Sequence, residues 1–326
     1  MVDKEFTIQR AFADGEGVRP VMLAIAGDSA AGKTTLTEGL ARALGKDRVT
    51  TFSVDDYHRY DRIERKELPF TPLHPDCNYI DIMEQHLQLL ALGRPILKPV
   101  YDHDTGSLTR PELVEPREFA IVEGLLPLHS ARARACFDVT VYLDPPEEIR
   151  RSWKLKRDTR DRGYEQEQVL SELDRREPES EEFIRPQRAR ADIVVRFAPI
   201  AERGEGVDDP LSATLLLRPT IPHPDLSSIM EGVPEDALHL KMVRDEGNRP
   251  TDALHVHSYA PREIAQQVER AIWSELHEPG PVPTTLGSLG DSERSEPLAL
   301  TQLLLLYHLV GVAGTYPQPA DRAAAN

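Results

Sequence analysis

Residues 27–34 read Gly27-Asp28-Ser29-Ala30-Ala31-Gly32-Lys33-Thr34. This stretch has the G-x-x-x-x-G-K-[ST] spacing of a phosphate-binding loop, and it follows an apolar run at Val21–Ala26. Glycines at both ends allow backbone N–H groups and the N-terminus of a following helix to point at phosphate oxygens. Lys33 is expected to reach the β- and γ-phosphates, and the Thr34 hydroxyl to coordinate Mg²⁺. We therefore predict a nucleoside triphosphate site, with ATP held by these residues and Thr35.

Apolar runs around the loop predict an α/β fold. Buried strands are expected at Val21–Ala26, Val49–Val54, Phe119–Val122, Val139–Leu143 and Ile193–Phe197. Helices are expected between them, at Thr34–Leu44, Asp81–Leu92, Pro146–Arg160 and Glu165–Glu177. Such alternation is typical of a parallel sheet with helices on both faces. The class predicted is a P-loop NTPase-type mixed sheet with a parallel core.

The pattern changes after residue 200. Strand-like runs at Ala213–Leu217, Leu238–Val243 and Ala253–Val256 precede a helix at Pro261–Leu276. We expect these strands to extend the same sheet as antiparallel edge strands. The predicted organisation is a P-loop kinase core at 1–200, a sheet extension with its terminal helix at 201–277, a Pro-, Gly- and Ser-rich linker at 278–297, and a C-terminal helix and tail at 298–326.

Composition narrows the possible partners. The 326 residues include 39 Lys and Arg against 55 Asp and Glu, a net charge of −16, which argues against a nucleic-acid or acidic-membrane partner but allows a local cationic pocket. Leu298–Val312 is apolar but is interrupted by Gln302 and His308, and we expect it to be too short to span a bilayer. Cys77 and Cys136 lack disulfide-framework or zinc-site spacing. These features predict a cytoplasmic protein with free thiols.

Carboxylates follow two of the predicted strands. Asp55 and Asp56 come directly after the second strand, and Glu123 ends the third. The carboxyl ends of adjacent strands face the crevice where such sheets bind ligands. Asp55 or Asp56 could accept the proton of an acceptor hydroxyl during phosphoryl transfer, while Glu123 would help the loop threonine to position Mg²⁺. His58 and Arg62, further along, could hold a phosphate already on the acceptor.

Positive charge gathers in the next segment, at Arg150, Arg151, Lys154, Lys156, Arg157, Arg160 and Arg162. Lys154, Arg157 and Asp158 share one helix face by their i, i+3, i+4 spacing, and the two cations could neutralise charge that develops during transfer. Arg150 and Arg151 fall on other sides, where a solvated helix face explains them. Gly163 would let the helix end and hinge like a lid.

Together these motifs resemble the phosphoribulokinase and uridine kinase family, and within it the plant and cyanobacterial branch. The resemblance runs from about Val21 to Pro199. Its matching segments are Gly27–Thr35, Asp55–Arg62, Lys98–Gly106, Val122–Leu125, Trp153–Tyr164, Arg175–Pro178 and Phe183–Asp192.

The resemblance implies ATP- and Mg²⁺-dependent phosphorylation of D-ribulose 5-phosphate at O1, giving ADP and the ribulose 1,5-bisphosphate used in carbon fixation by the Calvin cycle. It also implies a homo-oligomer, a dimer in the family. The implied catalytic residues are Asp55 as base, with Lys33, Lys154, Arg157 and Asp158. The implied substrate-binding residues are His58, Arg62, Tyr101, His103 and Arg162.

One departure and two alternatives accompany this interpretation. Chloroplast-type members carry regulatory cysteines inside the P-loop and just before the Asp pair, where this chain has Ala31 and Ser53. The disulfide between those positions cannot form here. A uridine or other nucleoside kinase of the same fold, and a nucleotide-binding regulatory P-loop protein, are the alternative functions. The cations of Asp55–Arg62 speak against a regulatory protein, which needs no site for an acceptor phosphate.

Overall fold

The computed structural model describes residues 19–160, 163–276, 281–289 and 293–314. Its strands are β1 (Val21–Gly27), β2 (Val49–Ser53), β3 (Ile96–Asp102), β4 (Ser107–Val114), β5 (Phe119–Gly124), β6 (Val139–Leu143), β7 (Ile193–Ala198), β8 (Ser212–Leu217), β9 (Leu238–Arg244), β10 (Pro250–Val256), β11 (Ser288–Leu289) and β12 (Glu293–Arg294). Its α-helices are α1 (Lys33–Leu44), α2 (Ile80–Ala91), α3 (Ala131–Arg134), α4 (Glu147–Arg160), α5 (Gln166–Glu179), α6 (Leu226–Ile229), α7 (Arg262–Glu275) and α8 (Glu296–Gly314).

The central sheet has eight strands in the order β2-β5-β1-β6-β7-β8-β10-β9. The first five are parallel, and β8, β10 and β9 continue the sheet in antiparallel pairs. The predicted mixed sheet, with its parallel core and antiparallel edge strands, is confirmed. Every strand and helix predicted from the sequence is present, with ends shifted by a few residues.

Strand β1 is buried on both faces of this sheet. Val21, Leu23 and Ile25 join a core cluster with residues of α1, α7 and α8, whereas Met22 joins a cluster with α2 on the opposite face. A strand covered on both sides has no solvated face, so its sequence is apolar throughout. The carboxyl end of β1, where the P-loop begins, is therefore held at the centre of the sheet.

The hairpin formed by β3 and β4 was not predicted. Its strands pair antiparallel from Ile96–Val114 to Asp102–Ser107, with an irregularity between Lys98 and Val100. All residues of β4 except Val114 are exposed, so β4 lacks the alternation by which a half-buried strand is identified. The hairpin matters for the site because Tyr101 and His103 lie on it.

Helix α8 corrects the expectation that the late apolar segment is too short to span a bilayer. It covers Glu296–Gly314, 19 residues, which by length and composition alone could cross a membrane. In the fold, however, its residues from Pro297 to Leu306 are all buried, and the helix packs against α1, α7 and β8. Burial in the core accounts for its apolar sequence.

The segment predicted as a linker contacts this helix. Leu286 is fully buried in the core, and the backbone N–H of Gly287 donates to Gln302 Oε1 at 2.7 Å. Arg294 forms an ion pair with Glu269 of α7. Where the structure describes it, the segment is thus packed onto α7 and α8.

A buried histidine pair predicts how stability depends on pH. His308 of α8 is buried, and its Nε2 lies 3.2 Å from Nδ1 of His223. Burial, reinforced by His223, lowers the pKa of His308 to about 3. The unfolded chain, with an ordinary histidine pKa of about 6.5, binds a proton first as pH falls. The stability from neutral His308 is therefore complete above pH ~6.5 and lost progressively towards pH ~3.

Because the unfolded chain takes up the proton of His308 first, we expect the free energy of unfolding to fall by about 2 kcal/mol when the pH is lowered from 7.5 to 5. Urea unfolding at both pH values measures the loss. The His308→Gln variant carries no titrating group at this position. Its free energies of unfolding at the two pH values should therefore differ less than those of the parent. An equal pH dependence in the variant and the parent would contradict the assignment.

Candidate active site

A cleft of about 820 Å³ opens where β1, β2 and β5 end. The P-loop and the turn after β2 contribute to its wall, as do the β3–β4 hairpin, α4 and α5. This is the edge of a parallel sheet at which ligands bind in doubly wound folds. Of the predicted ATP-binding residues, those from Ser29 to Thr35 line the cleft.

The P-loop closes tightly between β1 and α1. Ala30 and Gly32 have positive φ angles of 64° and 93°. A Cβ atom at Gly27 would lie 2.9 Å from the carbonyl oxygen of Leu143 on β6, so this position requires glycine. Lys33 Nζ donates to the carbonyl oxygens of Gly27 and Asp28, each at 2.9 Å. Most residues of the loop line the cleft, as a phosphate cradle requires.

Thr34 and Glu123, the two residues predicted to hold Mg²⁺, contact each other. Thr34 Oγ1 donates to Glu123 Oε1 at 3.0 Å. Burial, reinforced by the Asp55 carboxylate and opposed by Lys33, raises the pKa of Glu123. Within the described ranges no cluster of three or more His, Cys, Asp or Glu side chains could hold a metal alone. These oxygens suit Mg²⁺, which takes its other ligands from water and phosphate.

The two adjacent aspartates face different ways. Asp55 lines the cleft, and its Oδ1 accepts from the backbone N–H of Leu125 at 2.8 Å. A Cβ at Gly124 would lie 2.8 Å from this same Oδ1, so glycine there lets β5 approach Asp55. Asp56 instead accepts from the backbone N–H of Tyr101 at 3.1 Å and pairs with Lys98 Nζ. Asp55 is thus the aspartate available to a substrate, and Asp56 fastens the hairpin.

His58 lies beneath the hairpin side of the cleft. It is buried, its Nδ1 lies 2.7 Å from Asn78 Oδ1, and its ring is edge-on to Tyr101 at 4.8 Å. Burial, helped by the charge of Arg65, lowers the pKa of His58 to about 3. His58 is therefore neutral near pH 7 and can contact a substrate only through hydrogen bonding. His103 is exposed and lines the same part of the cleft.

Arg62 holds the tip of the hairpin. Its guanidinium donates to the carbonyl oxygens of Asp104, at 3.2 Å, and of His103. A Cβ at Gly106 would lie 2.6 Å from Arg62 Cβ, so the tip and Arg62 are in close contact. Arg62 lines the cleft, yet two of its nitrogens already have carbonyl partners.

Arg65, which the sequence analysis missed, also lines the cleft. Its guanidinium lies 4.8 Å from the ring centre of Tyr101 and donates to the Tyr101 hydroxyl. Its Nη1 is buried and has no hydrogen-bond partner among the described residues. Three other cations on this wall were also missed: Lys66, Arg175 and Arg176. Arg65 lies one helical turn beyond Arg62 in the sequence, a spacing that could have indicated it.

Helix α4 supplies the predicted group of Lys154, Arg157 and Asp158. Lys154 Nζ donates to Asp158 Oδ2 at 2.7 Å, and Arg157 Nε donates to Asp158 Oδ1 at 2.8 Å. Burial, reinforced by Arg176, lowers the pKa of Lys154 to about 8. Although burial alone would raise the pKa of Asp158, its two hydrogen bonds lower it. The predicted substrate residue Arg162 lies outside the described residues.

Arg150 was expected on a solvated helix face, and that expectation is wrong. Its side chain is 6% exposed and contacts Asp28 and Glu147 beneath the P-loop. Arg151 is more exposed and pairs with Asp174. Arg150 lies four residues before Lys154, so helical spacing places it on the face of Lys154 and Arg157 rather than on another side, and the contact with the P-loop buries its side chain.

Both cysteines lie away from the P-loop. Cys77 and Cys136 are buried free thiols, and burial raises their pKa to about 11 and about 12, respectively. Ala31 and Ser53, at the positions of the regulatory cysteines in chloroplast-type members, both line the cleft.

Curated relatives match a little over half of this chain. A phosphoribulokinase from Synechocystis sp. is 40% identical over 181 residues, covering 56% of this chain and 54% of that protein. A chloroplastic phosphoribulokinase from Triticum aestivum is 33% identical over 198 residues, covering 56% and 49%. A uridine kinase from Brevibacillus brevis is 32% identical over 180 residues, covering 54% and 84%. The chain spans about half the length of the two phosphoribulokinases.

The fold has a solved counterpart, a phosphoribulokinase from Rhodobacter spheroides. The TM-score is 0.57 at 15% identity, over 79% of this chain and 97% of that chain. At this identity the likeness concerns the fold. The model of the phosphoribulokinase / uridine kinase family matches residues 22–202, more than half of the sequence. The P-loop, the acidic strand ends and the cationic helix all lie within that match, and the chain belongs to the phosphoribulokinase / uridine kinase family.

Proposed function

We propose that the protein is a phosphoribulokinase, which transfers the γ-phosphate of ATP to O1 of D-ribulose 5-phosphate. The observation that carries this proposal is a second set of cations in the cleft, apart from the P-loop lysine: Arg65, Lys66, Arg175 and Arg176. A sugar phosphate would supply a partner for the buried Nη1 of Arg65, whereas a nucleoside brings no charge to that wall. Identity to the Synechocystis phosphoribulokinase, 40% against 32% for the uridine kinase, supports the same choice.

Asp55 is the proposed general base. Its carboxylate lies in the cleft, and the hydrogen bond from Leu125 fixes its orientation. It would accept the proton of the O1 hydroxyl as that oxygen attacks the γ-phosphorus and the bond to the β-phosphate oxygen breaks. Asp158 lies on α4 between two cations and would orient them.

Cations surround the place where negative charge develops. Lys33, now bound to two loop carbonyls, would exchange them for phosphate oxygens when ATP binds. Lys154 and Arg157 would neutralise the transferring phosphoryl group from the side of α4. With its pKa near 8, Lys154 is mostly protonated at pH 7. Thr34 and Glu123 would hold Mg²⁺, which supplies electrostatic stabilisation of the phosphates.

His58, Tyr101 and His103 would contact the sugar phosphate, together with Arg62 and, by resemblance, Arg162. The neutral imidazole of His58 suits a sugar hydroxyl, while Arg65 suits the 5-phosphate.

We further propose that the protein is a cytoplasmic homo-oligomer, a dimer by resemblance, without nucleic-acid or membrane partners. The net charge of −16 and the burial of α8 support the proposed lack of nucleic-acid and membrane partners. We propose as well that the chain is divided into a kinase core at 1–200 and an extension of the same sheet at 201–277.

A uridine or other nucleoside kinase is the second candidate. The match to the Brevibacillus brevis uridine kinase favours it, because that match covers 84% of the relative. The third possibility, a regulatory P-loop protein, would leave both Asp55 and the second set of cations without a role.

An acceptor screen separates these functions. ADP release from ATP and Mg²⁺ is measured with ribulose 5-phosphate, with uridine and with no acceptor. We expect ribulose 5-phosphate alone to stimulate turnover, and mass spectrometry should identify a bisphosphate. Stimulation by uridine without a response to ribulose 5-phosphate would refute the proposal.

Replacing Asp55 tests the assignment of the base. We expect Asp55→Asn to lower kcat by about 10²–10⁴-fold, because the proton acceptor is lost. Asp56→Asn is the matched variant, and its effect on kcat should be at least about tenfold smaller, since Asp56 acts through the hairpin. Steady-state kinetics and melting temperatures distinguish the two. Near-normal turnover of Asp55→Asn would move the role of base to another carboxylate, with Asp158 the first candidate.

Replacing Arg65 tests the acceptor-phosphate site. We expect Arg65→Gln to raise KM for ribulose 5-phosphate about 10–100-fold with little change in KM for ATP, because charged hydrogen bonds contribute about 1.5–3 kcal/mol. Arg59→Gln is the control. Arg59 belongs to the same loop but lies over the Tyr79 ring at 5.2 Å. Equal effects of the two substitutions would exclude a specific phosphate contact by Arg65.

A further inference from the structure

The side chain of Asp28 is buried beneath the P-loop. It is 7% exposed, its Oδ1 accepts from the backbone N–H of Ser29 at 2.7 Å, and its Oδ2 accepts from the hydroxyl of Ser180. Arg150 Nη1 lies 3.4 Å from the same Oδ1. A carboxylate within the phosphate-binding loop is thus bound to two other elements, α4 through Arg150 and the end of α5 through Ser180.

Arg150 anchors the first turn of α4 to the loop. Its Nε and Nη2 donate to the two oxygens of Glu147, at 2.8 and 2.6 Å. Its Nη1 faces Asp28 and donates to the backbone carbonyl of Ser29 at 3.4 Å. Breaking a buried pair by removing one partner is strongly destabilising, because the other charge is left without compensation. The contact therefore resists separation of α4 from the P-loop.

The second connection comes from an unusual helical turn. Ser180 begins a π-helical segment, Ser180–Ile184, that continues directly from α5. Single π-helical turns within helices are frequent at functional sites. On the preceding turn, Glu177 Oε2 lies 3.9 Å from Arg150 Nη2, so both helices meet at this one cluster.

Both helices carry cations that line the cleft, and both are fixed at the cluster around Asp28, which we call the anchor. Arg150, Lys154 and Arg157 are spaced i, i+4 and i+7, which places them on one face of α4. At a rise of 1.5 Å per residue, fixing Arg150 sets the position of Lys154 about 6 Å along the axis and that of Arg157 about 10 Å along it. On α5, Arg176 immediately precedes Glu177 of the cluster. A shift of the anchor would thus move these cations relative to a phosphate bound by the loop.

We propose that Asp28 is a positioning residue, whose carboxylate fixes the distance between the nucleotide phosphates and the cations of α4 and α5. In the proposed complex the nucleotide would be bound by backbone N–H groups of the loop, whereas the Asp28 side chain accepts from the N–H of Ser29 and is not among the residues that line the cleft. The proposal rests on the phosphoryl transfer proposed above, but not on the identity of the acceptor.

A double-mutant cycle tests it. Asp28→Asn, Arg150→Met and the double variant are compared with the parent for kcat and for the dissociation constant of ADP, measured by calorimetry. We expect each single variant to lower kcat by about 10²-fold, since misplacement by about 1 Å can have that effect. ADP affinity should stay within about threefold, and the double variant should be no worse than the worse single variant, because both substitutions break one contact.

Arg151→Met is the matched control. It removes a neighbouring arginine of α4 that pairs with Asp174 at 2.8 Å and more distantly with Glu147 at 3.8 Å, and because Arg150 still binds Glu147 and faces Asp28 in this variant, its kcat should equal that of the parent. If Arg150→Met fails to fold, Ser180→Ala replaces it in the cycle with the same expectations. Additive losses, an unchanged kcat, or a loss of ADP affinity as large as the loss of kcat would each overturn the proposal.

Hydrogen exchange gives a readout that needs no acceptor. In the ADP complex, amides of α4 in Asp28→Asn should exchange at least about tenfold faster than in the parent, while those of α1 stay unchanged. A parent enzyme that phosphorylates no acceptor would refute the proposed function, and this comparison would still decide the role of Asp28. Equal exchange of α4 in the two proteins would refute that role.

Discussion

The tight turn from β1 into α1 is the constraint on which the rest of the site depends. β1 is buried on both faces, so its end cannot shift without disturbing two core clusters. Gly27 lies so close to Leu143 that no larger residue fits. The P-loop is therefore built on a rigid element, and every other functional group is placed relative to it.

The charge distribution follows from that arrangement. The protein carries a net charge of −16, yet cations from the turn after β2, from α4 and from α5 converge on one cleft. Several are paired with carboxylates, as Lys154 is with Asp158, so that the cations are held in place before a phosphate arrives. Groups that are already oriented need less reorganisation when charge develops during transfer. With this charge distribution the protein would repel polyanions, while the cleft would admit the small phosphorylated molecules proposed above.

Much of the fold was predictable from the sequence, because the parallel strands are buried and the P-loop has a short, fixed residue pattern. The parallel strands are continuous apolar runs, and the P-loop pattern fixes the order of strand, loop and helix. The β3–β4 hairpin could not be predicted, since β4 is exposed along nearly its whole length and is held in place by contacts such as that of Asp56 with Lys98. Arg65 was missed for a related reason: it belongs to the site through its contact with Tyr101 on that hairpin.

The sequence by itself determined the nucleotide loop, the class of sheet and the segments that carry acid and base groups, because those features depend on local spacing. Only the tertiary structure decided which of two residues adjacent in the sequence faces the site. Asp55 and Asp56 are adjacent, yet the first is turned to the cleft by Leu125 and the second to the hairpin by Lys98. Arg150 and Arg151 are equally adjacent, yet Arg150 is buried against Asp28 whereas Arg151 is more exposed and pairs with Asp174. Spacing along a chain specifies which face a residue occupies, but what covers that face is set by elements distant in sequence.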